Sequence, residues 1–532
     1  MIDISVLFWG FVVRTLQALA EASPTILCGF VVAGVLRRMA GPEGVRRAFG
    51  GGGWRGLLRA WGIGMLLPVC ALGVIPIARE MRRAGVPSGT ILAFVLAAPH
   101  INPLSLLYGL TMSSPLALLG FAACSLVMAL GAGAVWDMAF AKPGETVEPP
   151  PEPMPPHGLK RLATVLHAAA REACGPSSLY ILAGLVGTGL LSAALPFGMF
   201  GNSMHADDVT APLVMTAVAV PGYNAPLQGM MVLGLMFDHG NSVGAAFVLY
   251  ELGIGINLGL IAWLAVVFRP RRTLAWLGMV TALAVILGYG LEIPLAPPKG
   301  GTGGHTHAFD GFSNPFPSGS PVGATEAGQR VGAKVQVLEV FGLAGIGLLL
   351  LLGGVLSAFD RRGRVEAWLT RGGERPLRPN ARFWERPIPG PALVVIAAIG
   401  LLLFSIVGVY QYYDAPSALI DEMVQVKADA VVAARTGSRA EAARNLERLD
   451  TLARRAEVGS YLRKWQVDAA ARKRGEDFRL RIEALRDAVR DERMPLTEIQ
   501  KLIPPLEASF REFRQAFVDG RIGGGLPEGV RP

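Results

Sequence analysis

Apolar runs long enough to cross a bilayer recur ten times in this chain, at approximately 8–36, 56–78, 87–112, 115–138, 178–200, 211–236, 241–268, 273–292, 337–359 and 391–413. A hydrocarbon core about 30 Å thick calls for about 20 apolar residues in helical form. Backbone polar groups in lipid must bond internally, so only helices or closed barrels span it, and continuous runs of this length specify helices. Composition agrees: the chain is 52% hydrophobic and 17% charged, where a soluble protein carries nearer a quarter charged residues. The chain therefore reads as an all-α polytopic membrane protein of about ten membrane elements.

Breaks in composition divide it. Residues 1–140 hold four elements, and 141–177 form a linker opening with "KPGETVEPPPEPMPPHG", whose prolines make it semi-rigid. Residues 178–295 hold four more elements. A Gly/Pro-rich loop comes next at 296–336, then two further spans at 337–413 joined by an arginine-rich loop. Residues 414–532 have a soluble composition and helical periodicity. Phe478, Ile482, Leu485 and Val489 follow 4-3-4 spacing, as do Leu506, Phe510, Phe513 and Phe517. Thr497 and Gln500 have capping-box spacing, and Pro504 and Pro505 are placed to redirect the chain.

The net charge of +9 would suit nucleic acid, but no basic stripe interleaves with aromatics. The arginines instead flank apolar runs, the positive-inside pattern of cytoplasmic loops. If all ten elements cross fully, with 37–60 cytoplasmic, basic residues split about 17 inside to 10 outside. If 56–78 and 211–236 are re-entrant, the split becomes about 24 to 3, a far better fit. Either count places the amino terminus and residues 414–532 on the exterior, the periplasmic side of a bacterial inner membrane. "MIDISVLFWG" lacks a basic n-region and reads as a retained first span.

Re-entrance also suits an internal similarity. Pro68 precedes "RRAGVPSGTILAFVL" and then Asn102, while Pro221 precedes "DHGNSVGAAFVL" and then Asn257. Both copies carry Gly-x-x-x-Gly (Gly85/Gly89 and Gly240/Gly244). Dipping in from opposite faces, they would form the inverted repeat of secondary transporters. Shared glycine- and alanine-rich composition is the plainer explanation.

Helix breakers inside a membrane free backbone groups that survive only where protein or a wet cavity satisfies them. Pro68 and Pro76 interrupt 56–78, and Pro99 with Pro103 brackets His100 and Asn102. "VPGYNAPLQG" sets Pro221, Asn224, Pro226 and Gln228 at a similar depth. Facing broken helices build the usual substrate site of a transporter. The candidate solute-binding residues are Pro68, Cys70, Pro76, Pro99, His100, Asn102, Asn224, Gln228 and Asn257. Plainer readings stand beside them: Asn102 as a helix cap, Asn257 as a partner for a neighbouring helix, His100 as a packed neutral histidine, Cys70 as a small buried hydrophobe. Glu251, acidic within an apolar run, is the candidate for ion coupling, with a place near the interface as its alternative.

The four cysteines have neither disulfide nor zinc spacing. His305, His307 and Asp310 in the glycine-rich loop offer a metal-ligand set, with a plain solvated loop as the favoured alternative. The absence of Cys and His after residue 413 argues against haem or zinc there, so no cofactor is expected.

"PVCALGVIPIAREMRRAGVPSGTILAFVLAAPHINP" resembles the signature of the UPF0718 (DUF318) family of predicted permeases, the ArsP-like permeases. Pro68, Cys70, Pro76, Arg82, Arg83, Gly89, Ala93, Phe94, Pro99, Asn102 and Pro103 occupy the matching positions, and the likeness extends over about residues 8–292. It implies export of a small solute, with metals, metalloids and organoarsenicals in range. Leu72 stands where many members carry a second cysteine, which counts against a thiol-pair mechanism. No GxxxxGK[ST] or HExxH motif is present, so neither nucleotide coupling nor zinc proteolysis is indicated. The competing function is a membrane-anchored sensor or assembly factor that binds a periplasmic protein through 414–532.

Overall fold

Asp3 opens the first helix by accepting hydrogen bonds from the backbone N–H groups of Ser5 (3.0 Å) and Val6 (3.4 Å), satisfying donors that a helix start leaves bare. In the computed structural model this helix, α1, runs Ile4–Val35 and passes through a widened π turn, Leu36–Ala40, into α2, Gly41–Phe49. The structure describes residues 3–100 except 51, then 115–140, 159–295 except 202 and 239, and 308–371 except 333, 336 and 361. It also describes 413, 415–464, 469–517 and the isolated positions 395, 399 and 406. The chain divides into two compact units, Met1–Ile406 and Val407–Pro532.

In the first unit α3 is Gly53–Leu66, α4 Val74–Arg83, α5 Ser88–Ala97, α6 Pro115–Phe140, α7 Leu159–Ala173 and α8 Pro176–Ala194. Then come α9 Ala211–Ala219, α10 Pro226–Asp238, α11 Val243–Val248 with a π turn at Leu249–Ile254, α12 Leu258–Phe268 and α13 Pro270–Glu292. A 3-10 turn, Asp310–Phe312, precedes α14 (Ala324–Gly332), α15 (Val337–Phe359) and α16 (Arg364–Thr370). Among the described residues five helices are long and apolar enough to span a membrane, or six if α11 and α12, bent by 60°, count as one.

The apolar runs at 56–78 and 211–236 are not continuous helices. The first breaks at residues 67–73, between α3 and α4, and the second at 220–225, between α9 and α10. Pro226 starts α10, where a missing N–H costs nothing. Two expected connectors hold more structure than their composition suggests. The linker region contains α7, packed on α1 and α15, and the Gly/Pro-rich loop contains α14 and buried aromatics. The run at 391–413 lies almost wholly outside the described residues.

One joint occurs twice. The N–H of Gly89 donates to Asp137 (2.8 Å), and the N–H of Gly244 donates to Glu292 (2.6 Å), which also takes Ser242 Oγ at 2.8 Å and the N–H of Val243 at 3.1 Å. In each case the glycine at the start of a helix presses on another glycine four residues before the acid, Gly133 on α6 and Gly288 on α13. Gly85 and Gly240 turn the chain just beforehand, with φ of 77° and 65°, a conformation cheap only for glycine. Glu292→Ala removes three acceptor contacts from the α11 start and is expected to cost about 2 kcal/mol. Thermal unfolding in detergent measures this, with Glu326→Ala on the surface of α14 as the near-neutral comparison.

Packing repeats with the joint: α5 lies on α6 and α3, as α11 lies on α13 and α9. Helices α6 and α13 pack antiparallel. Gly120, early in α6, meets Leu291 and Leu295, and at the other end the Phe140 ring sits 5.7 Å beneath the Arg272 guanidinium. Helices α1 and α8 are antiparallel too, since Asn314 bridges the carbonyls of Val6 and Ala193 while Thr15 meets Gly189. Helix α15 is seated on the Pro24 region of α1, with Gly342 against Ser23 and Gly345 against Leu27.

The second unit is a helical bundle: α17 Pro416–Thr436, α18 Arg439–Lys464, α19 Ala469–Arg490, α20 Leu496–Lys501 and α21 Ile503–Phe517. Both 4-3-4 stripes read from the sequence are buried in its core. The expected capping box does not form. Pro495 precedes α20, and Gln500 donates to the carbonyl of Arg435 (3.3 Å) instead. A buried pair, Arg479–Glu457 at 2.7 Å, crosses the core. Burial pushes the Asp450 carboxyl up, but the guanidiniums of Arg454, Arg486 and Arg479 outweigh it and hold it below its ordinary value.

Candidate functional site

The two breaks come together. Pro68 and Cys70 lie in the first, with the Cys70 thiol accepting from the N–H of Gly73 at 3.3 Å. The Tyr223 hydroxyl, from the second, lies near that thiol and is buried without a hydrogen-bond partner among the described residues. Helix α1 closes over the first break by backbone contact, Gly29 lying directly on the Gly73 carbonyl, an approach only small residues permit. Cys28, next to Gly29 on α1, is half-buried. Asn224 is tied to the π turn of α11, its N–H donating to the Gly253 carbonyl (2.9 Å).

A second cluster adjoins the π turn. His100 sits in the turn beyond α5 and is stacked on Tyr250, ring centroids 4.7 Å apart. Its Nε2 lies 3.3 Å from the backbone carbonyl of Glu251 and 3.7 Å from the Glu251 carboxylate. Ser125 Oγ, from α6, is 3.3 Å from Nδ1. With the proton on Nε2, the ring donates to the carbonyl and accepts from the serine. His100 is 1% exposed and Glu251 fully buried. Neither of its carboxylate oxygens accepts a hydrogen bond among the described residues, and His100 and Ser125 are among the polar side chains beside it. A buried acid so thinly compensated is costly. Widened turns of this kind recur at functional positions.

The remaining predicted residues are spread more widely. Pro76 lies in the first turn of α4, Pro99 beside His100, and Gln228 half-buried in the first turn of α10. Asn257 caps α12 by accepting from the N–H of Leu260 (2.9 Å). Its carboxamide oxygen faces Gly184 of α8, and its nitrogen is buried without a partner among the described residues, so the capping role is real and does not exhaust the side chain. Asn102, Pro103, His305 and His307 lie outside the described residues. Asp310 is in the 3-10 turn, where its carbonyl takes the Arg14 guanidinium, and no group of three metal-ligating side chains occurs among the described residues.

Sequence reasoning misses Tyr223, Tyr250 and Ser125, for which apolar-run composition gives no signal. It also misses Arg14, Asp137 and Glu292. Charges inside or at the ends of apolar runs are the available clue.

A family profile described as "Predicted permease", ArsP_1, matches residues 9–293 and so contains both breaks and the His100–Glu251 cluster. The chain belongs to this family of predicted permeases. It is 35% identical over 91 residues to the UPF0718 protein YcgR of Bacillus subtilis (strain 168), covering 17% of this chain and 31% of that protein. It is 31% identical over 91 residues to the "Putative two-component membrane permease complex subunit" of Streptococcus mutans serotype c (strain ATCC 700610 / UA159), covering 17% and 30%. The matched stretch thus spans about a third of each relative's length. No solved structure matches the chain. Family membership and the apolar helices together support a multi-pass membrane protein of the predicted-permease family.

Proposed function

We propose that this permease exports a small solute across the bacterial inner membrane by alternating access between two inverted halves, residues 1–140 and 178–295. The meeting of the helix breaks, Cys70 against Tyr223, carries the reading, because discontinuous helices facing one another supply backbone and side-chain ligands at mid-membrane. Inversion is supported by the twice-built glycine–acid joint and by the antiparallel α6–α13 and α1–α8 pairs. Glu251, in contact with His100, carries the coupling ion. The solute binds among Pro68, Cys70, Asn224, Gln228 and Asn257, and is drawn from metals, metalloids and organoarsenicals. A strain lacking the gene is expected to be hypersensitive to one of these classes, restored by the intact chain. Unchanged growth across the whole panel refutes the export reading.

A second reading draws on the S. mutans relative, whose name makes it a subunit of a complex. Residues 414–532 form a unit with its own core and would dock a periplasmic protein. Truncation after Tyr413 separates the two: an autonomous permease keeps its protective effect, and a tail-dependent sensor or assembly factor loses it.

A further inference from the structure

Between α13 and α14, the stretch Ala308–Phe316 is largely buried, with Gly311 exposed. Phe309, Phe312 and Phe316 are each at most 2% exposed, and Ser313 and Asn314 are nearly as buried. Phe309 packs on Phe200 with centroids 6.3 Å apart. Phe312 reaches Gly222, within the second helix break, where a Cβ would fall 2.5 Å from its ring. Helix α9, nine residues long, separates that break from Ala211, a depth of about 13 Å at 1.5 Å per residue. The aromatic ring therefore descends well into the unit.

A charge in the first span holds it there. Arg14 stands ten residues beyond the start of α1, about 15 Å along its axis. Its Nε and Nη2 donate to the Ser313 carbonyl at 3.0 and 2.9 Å, and Nη2 also meets the carbonyl of Asp310. Gln17, one turn on, accepts from Arg14 Nη1 (3.1 Å) and donates to the carbonyl of Arg330 in α14 (3.0 Å). Asn314 completes the attachment by donating to Val6 and Ala193. An arginine at this depth is expensive, and the carbonyls of Ser313 and Asp310 tie it to the folded-back segment.

We propose that Ala308–Phe316 is a gate over the second break, with Phe312 as the closing side chain and Arg14 as the latch that holds it down. The gate lies on the side of the α1 amino terminus and closes the route from that side to Cys70 and Tyr223. Because the contacts seen between the latch and the segment run to backbone carbonyls and the closing contact is a ring on a glycine, lifting the segment breaks no covalent link.

The native thiol beneath the gate reports on it without any solute. In the full chain reconstituted in vesicles, Cys28→Ser, Cys124→Ser and Cys174→Ser leave Cys70 to react with a membrane-impermeant methanethiosulfonate. Phe312→Ala and Arg14→Gln are each expected to speed modification of Cys70 about tenfold, while Phe359→Ala, on an exposed face of α15, leaves it unchanged. Rates equal to the parent in both gate variants overturn the proposal. Should either variant fold poorly, a second measurement decides. Ser192 Oγ lies 3.4 Å from the Gly311 carbonyl, so the pair Ser192→Cys and Gly311→Cys can be crosslinked. Oxidation is expected to slow Cys70 modification at least fivefold, reversibly on reduction, and a crosslinked protein that reacts at the parent rate refutes the gate. The permease reading fails by its growth test instead, so the two outcomes are separable.

Discussion

Glu251→Gln is expected to make the protein more stable and to stop it from working. The carboxyl group is fully buried with neither oxygen accepting a hydrogen bond among the described residues, and a neutral amide of equal size removes the cost of burying a charge there, an expected gain of about 1 kcal/mol. Thermal unfolding in detergent should therefore move upward for the Gln variant. Flux of the protected-against compound in vesicles under an imposed proton gradient should fall at least ~10-fold. A gain in stability coupled to a loss of function is the mark of a strained functional group. A Gln variant that is less stable and transports normally would reduce Glu251 to a structural residue.

Gly29→Val carries the largest expected structural effect. Position 29 of α1 lies on the backbone carbonyl of Gly73, and the Cα of Gly73 in turn approaches the carbonyl of Thr25. A valine there meets main chain, which cannot rotate aside, and overpacking of this kind costs about 3 kcal/mol or more. The first break would have to move from α1, and Cys70 with it. Size-exclusion profiles and unfolding in detergent should show mostly misfolded protein. Gly62→Val, where nothing lies within 4 Å of the new Cβ, should stay within ~0.5 kcal/mol of the parent.

Much of this is legible in the residues alone, for identifiable reasons. Lipid fixes the length of an apolar helix, so the spans announce themselves. Prolines cannot donate a hydrogen bond, so Pro68, Pro221 and Pro226 mark both breaks. Gly85/Gly89 and Gly240/Gly244 expose the repeated joint because only glycine accepts that turn and that approach. The acids completing the joint are hidden, since Asp137 and Glu292 act 48 residues from the glycines they hold. The segment at 308–316 follows a glycine-rich loop, and its burial rests on partners far away in sequence, among them Arg14, almost 300 residues earlier. Thr497 and Gln500 have the right spacing for a cap, but Gln500 finds the Arg435 carbonyl instead.

The wide turn at Leu249–Ile254 has a mechanical consequence. A π turn holds one residue more than regular pitch, so the chain can return to an ordinary α-helix by passing that surplus along its length. Each residue so displaced rotates the downstream helix by about 100°, enough to swing Glu251 off the His100 ring with little change to the outer surface of α11. The acid is mounted on the part of the fold where a small slip of register moves a side chain farthest.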